Sequence, residues 1–341
     1  MADIGKLIID RKEIIVWQSA TVTKSIENLT GVFSFSLKAN NNLRVYPSST
    51  LQFYVNNKII IDGYIDSVSY GIDTVTIQGR DKTSDLVDCS AIVPSGQFNN
   101  ITFEDLIRSL LLPFGVDFII ESEKAKTKIE KVTIDQATVF EVIDKEARKL
   151  GLLAYSSLEG KLTIAEVNQA DSNTFYSYPG NILNYEASQN FAPRYSNYFL
   201  KAQQRSKSTL SNEQSSQVKA ESKDLNIKRY RPLNIIGESQ MNLQQAQDRV
   251  NWESSVRVSR TAELNLDLAG LADYNGVAWS PNTSINVNIP NLDLRSKMLI
   301  KTVETNLSVD GRNTKLTLIN PKSLIPQPEI PEEADTDKVL P

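Results

Sequence analysis

Five charged residues, Arg80, Asp81, Lys82, Asp85 and Asp88, fall within nine positions where an alternating strand, Val75, Ile77 and Gly79, gives way to a turn. Guanidinium, ammonium and carboxylate groups at this spacing neutralise one another and are too dense to enter an apolar core unpaired. Two readings stand side by side. The stretch is a solvated corner, or it is a joint in which Arg80 and Lys82 pair with Asp81, Asp85 or Asp88, pin the strand's exit and leave a charged face for a partner subunit. Acid–base and nucleophilic chemistry have little to draw on. The chain has no histidine, which removes the usual general base near neutral pH and the commonest transition-metal ligand. Its one cysteine, Cys89, has Arg80 and Lys82 as its local cations, and three aspartates stand beside them. A small buried thiol is therefore expected there, not an activated thiolate. Acidic residues number 41, so some carboxylates are neighbours, but sequence spacing does not set the separation that glycoside hydrolysis needs. No catalytic, cofactor-binding or metal-binding residue is assigned.

Composition narrows the class further. At 341 residues the chain suits two or three domains. With 40% hydrophobic and 23% charged residues and a net charge of −4, it reads as a soluble globular protein with no electrostatic case for nucleic acid. A single cysteine fits a reducing compartment and stability from packing alone. No basic stretch followed by an apolar core opens the sequence, and no run of about 18 apolar residues occurs, so neither export signal nor membrane span is expected.

The elements that hold the charged corner read as short strands joined by turns. Leu7 and Ile9, Ile14 to Trp17, Val22, Lys24 and Ile26, and then Phe33, Phe35 and Leu37 alternate with polar residues, the period of half-buried strands. Leu51, Phe53 and Val55, a long run from Ile59 to Tyr70 broken at Gly63, and Val75 with Ile77 complete a small barrel or sandwich. After Ser90 the period changes. Thr102 with Asp105 and Thr138 with Glu141 read as capped helix starts, followed by stripes through Leu106, Leu110 and Leu111 and through Phe140, Ile143 and Ala147. Pro113 with Gly115 stops the first helix and Gly151 the second. Leu152 to Val167 reads as a hairpin around Glu159-Gly160. Tyr176, Tyr178, Tyr185, Tyr195 and Tyr198 crowd the next stretch and read as packing residues with wet hydroxyls.

The expected organisation is a first β-barrel domain at 1–95, completed by 182–204; an α+β insert at 96–181; a serine- and glutamine-rich flexible loop at 205–226; a second β-barrel domain at 227–320 with a helix at about 242–258; and a proline- and acid-rich flexible tail at 321–341. The fold class is mainly β with an α+β insert, built on two similar small barrels. An internal repeat supports the pairing of barrels. Pro47 precedes Leu51-Gln-Phe-Tyr-Val55 as Pro281 precedes Ile285-Asn-Val-Asn-Ile289. A strand through Ile65 and Val68 and a closing Val75-Thr-Ile77 follow in the first copy, and Ile300 to Leu307 with a closing Leu316-Thr-Leu318 in the second. Gly63 has no glycine counterpart in the second long strand, which points to a bulge in one barrel only.

Three segments carry a resemblance to a known family: Gly79-Arg-Asp-Lys-Thr-Ser-Asp-Leu-Val-Asp-Cys-Ser90, the helix–glycine–hairpin from Thr138 to Val167, and Trp279-Ser-Pro-Asn282 through Met298-Leu-Ile300 to Leu316-Thr-Leu-Ile-Asn-Pro321. Over residues 4 to 322 the chain resembles the baseplate hub proteins of Mu-like contractile-tail phages, within the wider late-control gene D and T-even hub superfamily. The resemblance implies a homotrimer in which two like barrels per chain form a pseudo-six-fold ring, joining a six-fold tail tube to a three-fold central spike. It implies as partners the tube or a tube adaptor, the spike and baseplate wedge proteins, and a place in the virion tail after assembly in the host cytoplasm. It brings no catalytic constellation, no cofactor and no metal. Arg80, Asp81, Lys82, Asp85, Asp88 and Trp279 are the candidate structural or interface residues. Two alternatives remain open: a tail-associated cell-wall-degrading enzyme, against which the length left after two barrels and an insert argues, and a carbohydrate-binding tail module using the tyrosine-rich stretch.

Overall fold

The computed structural model describes residues 5–15, 17–39, 44–168, 170, 174–203, 217–237, 241–308 and 311–324. The chain divides into two compact units, one of 1–188 with 263–321 and one of 189–262 with 322–341. The Asn40–Asn42 turn and nearly all of the acidic tail lie outside the described residues.

The larger unit opens with seven strands: β1 Gly5–Ile9, β2 Lys12–Ile14, β3 Trp17–Ser25, β4 Val32–Lys38, β5 Thr50–Val55, β6 Lys58–Tyr70 and β7 Thr74–Asp81. They pair antiparallel in the order β3-β4-β7-β6-β5-β1-β2. The alternation seen in the sequence is the burial pattern. Phe33, Phe35 and Leu37 of β4 point into a core with Leu7, Val22, Leu51, Phe53, Ile61 and Ile77. Burying side chains of this size supplies roughly 1.5–3 kcal/mol each, which offsets the ordering of short strands with weak local preference. β6 runs unbroken through Gly63, contrary to the expected interruption. A Cβ at Gly63 would lie 2.0 Å from the Arg80 carbonyl oxygen, and one at Gly79 would lie 2.0 Å from that of Tyr64. Both glycines therefore serve a close approach of two backbones.

The insert follows with α1 Ser84–Asp88, β8 Gln97–Thr102, α2 Phe103–Leu111, β9 Phe118–Ile120, β10 Lys128–Thr133, α3 Val139–Lys149, β11 Leu153–Ser156 and β12 Leu162–Ala165. The expected caps are present. Thr102 accepts from the Asp105 N–H, and Thr138 and Glu141 form a reciprocal capping box. Leu86 and Ala91 belong to the same core as Leu106, Ile107, Ile143 and Ile164, so this α+β body begins at α1 and not at 96. Its far boundary also moves. β13 Phe175–Ser177 pairs in parallel with a strand of the second β body, outside the insert.

β14 Ile182–Gln189 likewise joins the second β body, where it had been expected to complete the first. The smaller unit then holds β15 Asn197–Gln203, β16 Gln217–Lys223, β17 Pro232–Ile236 and α4 Leu243–Ser259. Its sheet has the order β16-β15-β17. The helix falls where expected, capped reciprocally by Asn242 and Gln245, but it packs with Tyr198, Leu200, Val218 and Ala220 through Ala246 and Val250. It is not part of the second β body, as 227–320 had been drawn. The serine- and glutamine-rich segment is corrected at its end, since 217–223 is strand; 204–216 lie outside the described residues. Polar residues at every second position of β16 disguised it, because only Val218 and Ala220 turn inward.

The second β body is completed by β18 Ala262–Ala269, β19 Ser284–Ile289, β20 Leu294–Ser308 and β21 Gly311–Ile319. Its strands run β14-β18-β21-β20-β19, and β3-β4-β7-β6-β5 is the same order in the first body. The likeness extends to detail. The ladder shifts between Ile65 and Ser67 in β6 and between Ile300 and Thr302 in β20, so the bulge occurs in both copies and not in one. Ser48 and Asn282, each following the proline of the repeat, both take positive φ, 71° and 59°. Ser48 and Ser49 bond the backbone of Ile65 as Asn282 and Thr283 bond that of Ile300. The barrels expected from strand spacing do not close. β3 pairs along its outer edge with β20, from Ser25↔Thr302 to Ser19↔Ser308, and the two bodies share one 13-stranded sheet. An edge that finds another sheet's edge satisfies its N–H and C=O groups without meeting its own far strand.

Candidate functional site

The charged corner sorts into a buried part and an exposed part. Asp81, the last residue of β7, is fully buried and takes five hydrogen bonds. Oδ2 accepts from Lys24 Nζ at 2.6 Å, the Gly31 N–H at 2.8 Å and Ser156 Oγ at 2.6 Å. Oδ1 accepts from the Thr83 N–H at 3.0 Å and Thr83 Oγ1 at 2.5 Å. Lys24 sits on β3 at an inward position of the series Ala20, Val22, Lys24 and is 2% exposed. It donates further to Ser156 Oγ at 3.1 Å and to the Ser157 carbonyl at 2.8 Å. Burial pushes the Lys24 ammonium below its ordinary range, and Asp81 pulls it back up.

Serine, lysine and carboxylate in mutual contact have the residue types of a nucleophile with its base. Here the chemistry does not follow. All three are buried, and three acceptors occupy the three N–H donors of the lysine ammonium. The arrangement is a clamp. It ties β3, the turn before β4, the end of β7 and, through Ser156 of β11, the insert.

Around it Arg80, Lys82 and Asp88 are paired at the surface. Arg80 donates through Nη1 and Nη2 to both oxygens of Asp88, at 3.0 and 2.7 Å, and through Nε to Asp66 at 2.7 Å. These bonds raise the Arg80 guanidinium and hold the Asp88 carboxyl below the usual carboxylate range. Lys82 pairs with Asp62 at 2.7 Å, and Asp85 occupies the first turn of α1. Of the expected pairings inside the cluster, Arg80–Asp88 is present. Lys82 and Asp81 instead find partners 20 and 57 positions away. Cys89 is half-buried with a free thiol, where a buried one had been expected. A cleft of about 630 Å³ beside the corner is lined by Tyr54, Lys58, Asp62, Lys82, Asp117 and Glu159 among others, and its Asp62 and Lys82 neutralise each other. Among the described residues no cluster of acidic or cysteine side chains is arranged to hold a metal ion.

Trp279 lies elsewhere. It is buried in the core of the second β body and donates its indole N–H to Tyr176 Oη at 2.8 Å. Within the chain it is a packing residue of that core. Tyr176, which the sequence placed among wet hydroxyls, is buried too, and its phenol is pushed up to about 12 by that burial. Sequence reasoning missed Lys24. The available signal was a lysine at an inward, period-two position between Val22 and Ile26.

Residues 83–166 match a family described as the second domain of gp44-like baseplate hub proteins. Residues 242–327 match the fourth domain of the Mu phage baseplate assembly protein GpP. The first match begins beside α1, where the insert's core begins. The chain is 26% identical to the baseplate hub protein gp44 of Escherichia phage Mu, covering 98% of this chain and 91% of that protein. Its fold is similar to that of the 43 kDa tail protein of prophage MuSo2 from Shewanella oneidensis, with a TM-score of 0.81, 24% identity and coverage of 94% of this chain and 99% of that one. The tail protein of Neisseria meningitidis MC58 is similar at a TM-score of 0.77, 18% identity and coverage of 95% and 99%. The resemblance to the hub proteins of Mu-like phages thus holds along nearly the whole chain.

Proposed function

We propose that this chain is a structural hub protein of a phage-type tail baseplate, a homotrimeric adaptor between a six-fold tail tube and a three-fold central spike. The observation that carries the reading is the repeated strand order, β3-β4-β7-β6-β5 and β14-β18-β21-β20-β19, within one chain. A trimer offers six similar faces to a six-fold tube when each chain carries two like units. The relatives are named as hub and tail proteins, and the chemistry of the corner agrees, since Arg80, Asp81, Lys82 and Asp88 are committed to internal pairs. Tube or tube-adaptor, spike and wedge proteins are its partners, and the virion baseplate is its place. The six-fold ring is part of this proposal: the shared sheet supplies like units, and trimerisation supplies their arrangement.

Sedimentation of the purified chain tests the reading. A trimer is expected, with more than about 2,000 Å² buried in total, as in obligate assemblies. A monomer at micromolar concentration that stays monomeric with spike and tube proteins present would sink it. Incubation with cell-wall polymer and glycan panels separates the alternatives, because the adaptor neither cleaves nor binds them.

A further inference from the structure

We propose that β14 of one copy adds, antiparallel, to the outer edge of the second half of β6 in the next copy, repeating between chains the β3–β20 junction that joins the two β bodies within a chain. The inference rests on the trimeric reading above and names the surface that builds the trimer. Within the chain, β20 pairs with β19 over its first half, and over its second half it lies between β21 and β3. Its counterpart β6 pairs with β5 over its first half and with β7 over its second. Among the described residues no strand occupies the remaining side of that second half. β14, the counterpart of β3, ends the shared sheet, with β18 on one side and, among the described residues, no strand on the other. One body therefore presents the acceptor edge and the other the donor edge of a junction that the chain already makes once. Both edges are exposed. In β6, Asp66, Ser67, Ser69 and Tyr70 face solvent, and in β14 all residues from Leu183 to Gln189 do so except Tyr185. Tyr70 and Leu183 are 60% and 59% exposed. An unpaired edge of this kind is a template for strand addition.

The repeat also sets the register. The matched bulges align Ser67 with Thr302, and so Ser69 with Glu304. Asn184 reaches Asp267, and the Asn190 N–H reaches the Thr261 carbonyl, six residues on in one strand and six back in the other. β14 and β18 are therefore antiparallel, and Tyr185 stands opposite Leu266. Leu266 pairs with Leu316 as Phe35 pairs with Ile77, and Phe35 pairs with Ala20. Tyr185 is then the counterpart of Ala20, and Ser188 that of Thr23. Tyr185 packs on the second core as Ala20 does in the first. Since Glu304 pairs with Thr23, Ser69 of one copy stands opposite Ser188 of the next.

Such a contact is heterologous, one patch meeting a different one, and it closes into a ring where the rotation per copy allows. Opposed residues in an antiparallel pair have Cα atoms roughly 4.5–5.5 Å apart, within the reach of a disulfide. The test uses the full chain with Cys89→Ser, so that no native thiol interferes, and the exposed substitutions Ser69→Cys and Ser188→Cys. Oxidation of the double variant is expected to give covalent dimers and trimers on a non-reducing gel. Each single variant alone should give none, and co-expression of the two single variants should give dimers. Self-linking of either single variant would reveal a two-fold contact and overturn the proposal. A trimer by sedimentation that links neither at this pair nor at the adjacent Val68→Cys with Gln189→Cys would overturn the strand pairing and leave the hub reading standing. A persistent monomer would overturn both.

Discussion

Asp81 and Arg80 are neighbours in sequence and opposites in energetics. Removing one partner of a buried pair strands the other charge, at a cost of about 3–5 kcal/mol. Asp81→Ala and Lys24→Ala are each expected to lower stability by that amount in urea unfolding. The double replacement Lys24→Met with Asp81→Leu should recover only part of the loss, because it leaves no orphaned charge but strips the Gly31 and Thr83 N–H groups of their acceptor. Arg80, about one-third exposed, pairs with Asp66 and Asp88, which are 43% and 49% exposed. Water and salt screen these pairs, and Arg80→Ala is expected to cost about 0–1 kcal/mol. A large loss at Arg80 with little at Asp81 would reverse the assignment of clamp and corner. The Tyr176 phenol offers a pH test. Burial raises it to about 12 from its ordinary 10.0, so the folded chain keeps a proton that the unfolded chain loses between those values. Its stabilising contribution is complete below pH 10.0 and is lost as pH rises toward 12. Burial also raises Tyr155 and Tyr198, so phenolate absorbance should show several late-titrating tyrosines, and Tyr176→Phe should remove the step near 12.

Elements form here for local reasons and then accept tertiary constraints. The capping box at α3 satisfies an orphan N–H at each end of a short reciprocal pair, and Thr138→Ala is expected to cost about 0.5–2 kcal/mol in thermal or urea unfolding. Gly79 is constrained differently. The Tyr64 carbonyl oxygen and the Phe33 ring leave a methyl group no room, so Gly79→Ala should cost at least about 1–3 kcal/mol by overpacking. A neutral outcome would mean that β6 and β7 can separate without disturbing the core. α4 illustrates how an element can be legible while its address is not. Its caps and boundaries follow from Asn242 and Gln245, whereas its packing against β15 and β16 depends on strands whose polar outer faces hide them. Leu243, at the start of the helix, is 64% exposed, whereas Met241 and Ala246 join the core beside the sheet.

At the scale of the molecule, the shared sheet turns two similar bodies into one continuous surface and leaves β14 and the second half of β6 as edges of opposite kind. If these edges pair between copies, assembly uses the same backbone groups as folding. The trimer should then lose strand pairing and subunit contact together. Dilution of the wild type should leave trimers intact, while Ala187→Pro in β14 should shift sedimentation toward monomer with little change in the monomer's circular dichroism, because proline removes a ladder donor at an edge. Unchanged trimers in that variant would place the subunit contact on other surfaces.

Local and repetitive information was readable from the residues alone. Period-two burial in β4, the capped starts of α2 and α3, the hairpin of β11 and β12, and the proline-led repeat all depend on neighbours within a few positions or on a pattern present twice. The absence of histidine likewise counted against many catalytic classes before any fold was known. Tertiary structure alone decided that the two β bodies fuse through β3 and β20, that β13 and β14 serve the second body, and that residues 189–262 belong to a separate small unit. It also decided that the charge of Asp81 is paired by Lys24 and not by Arg80 or Lys82 beside it. The physical reason is common to all of these. Backbone donors and buried charges are satisfied by whichever partner the packed chain brings within hydrogen-bond distance, and a lysine 57 positions away carries no mark in the sequence of where it will arrive.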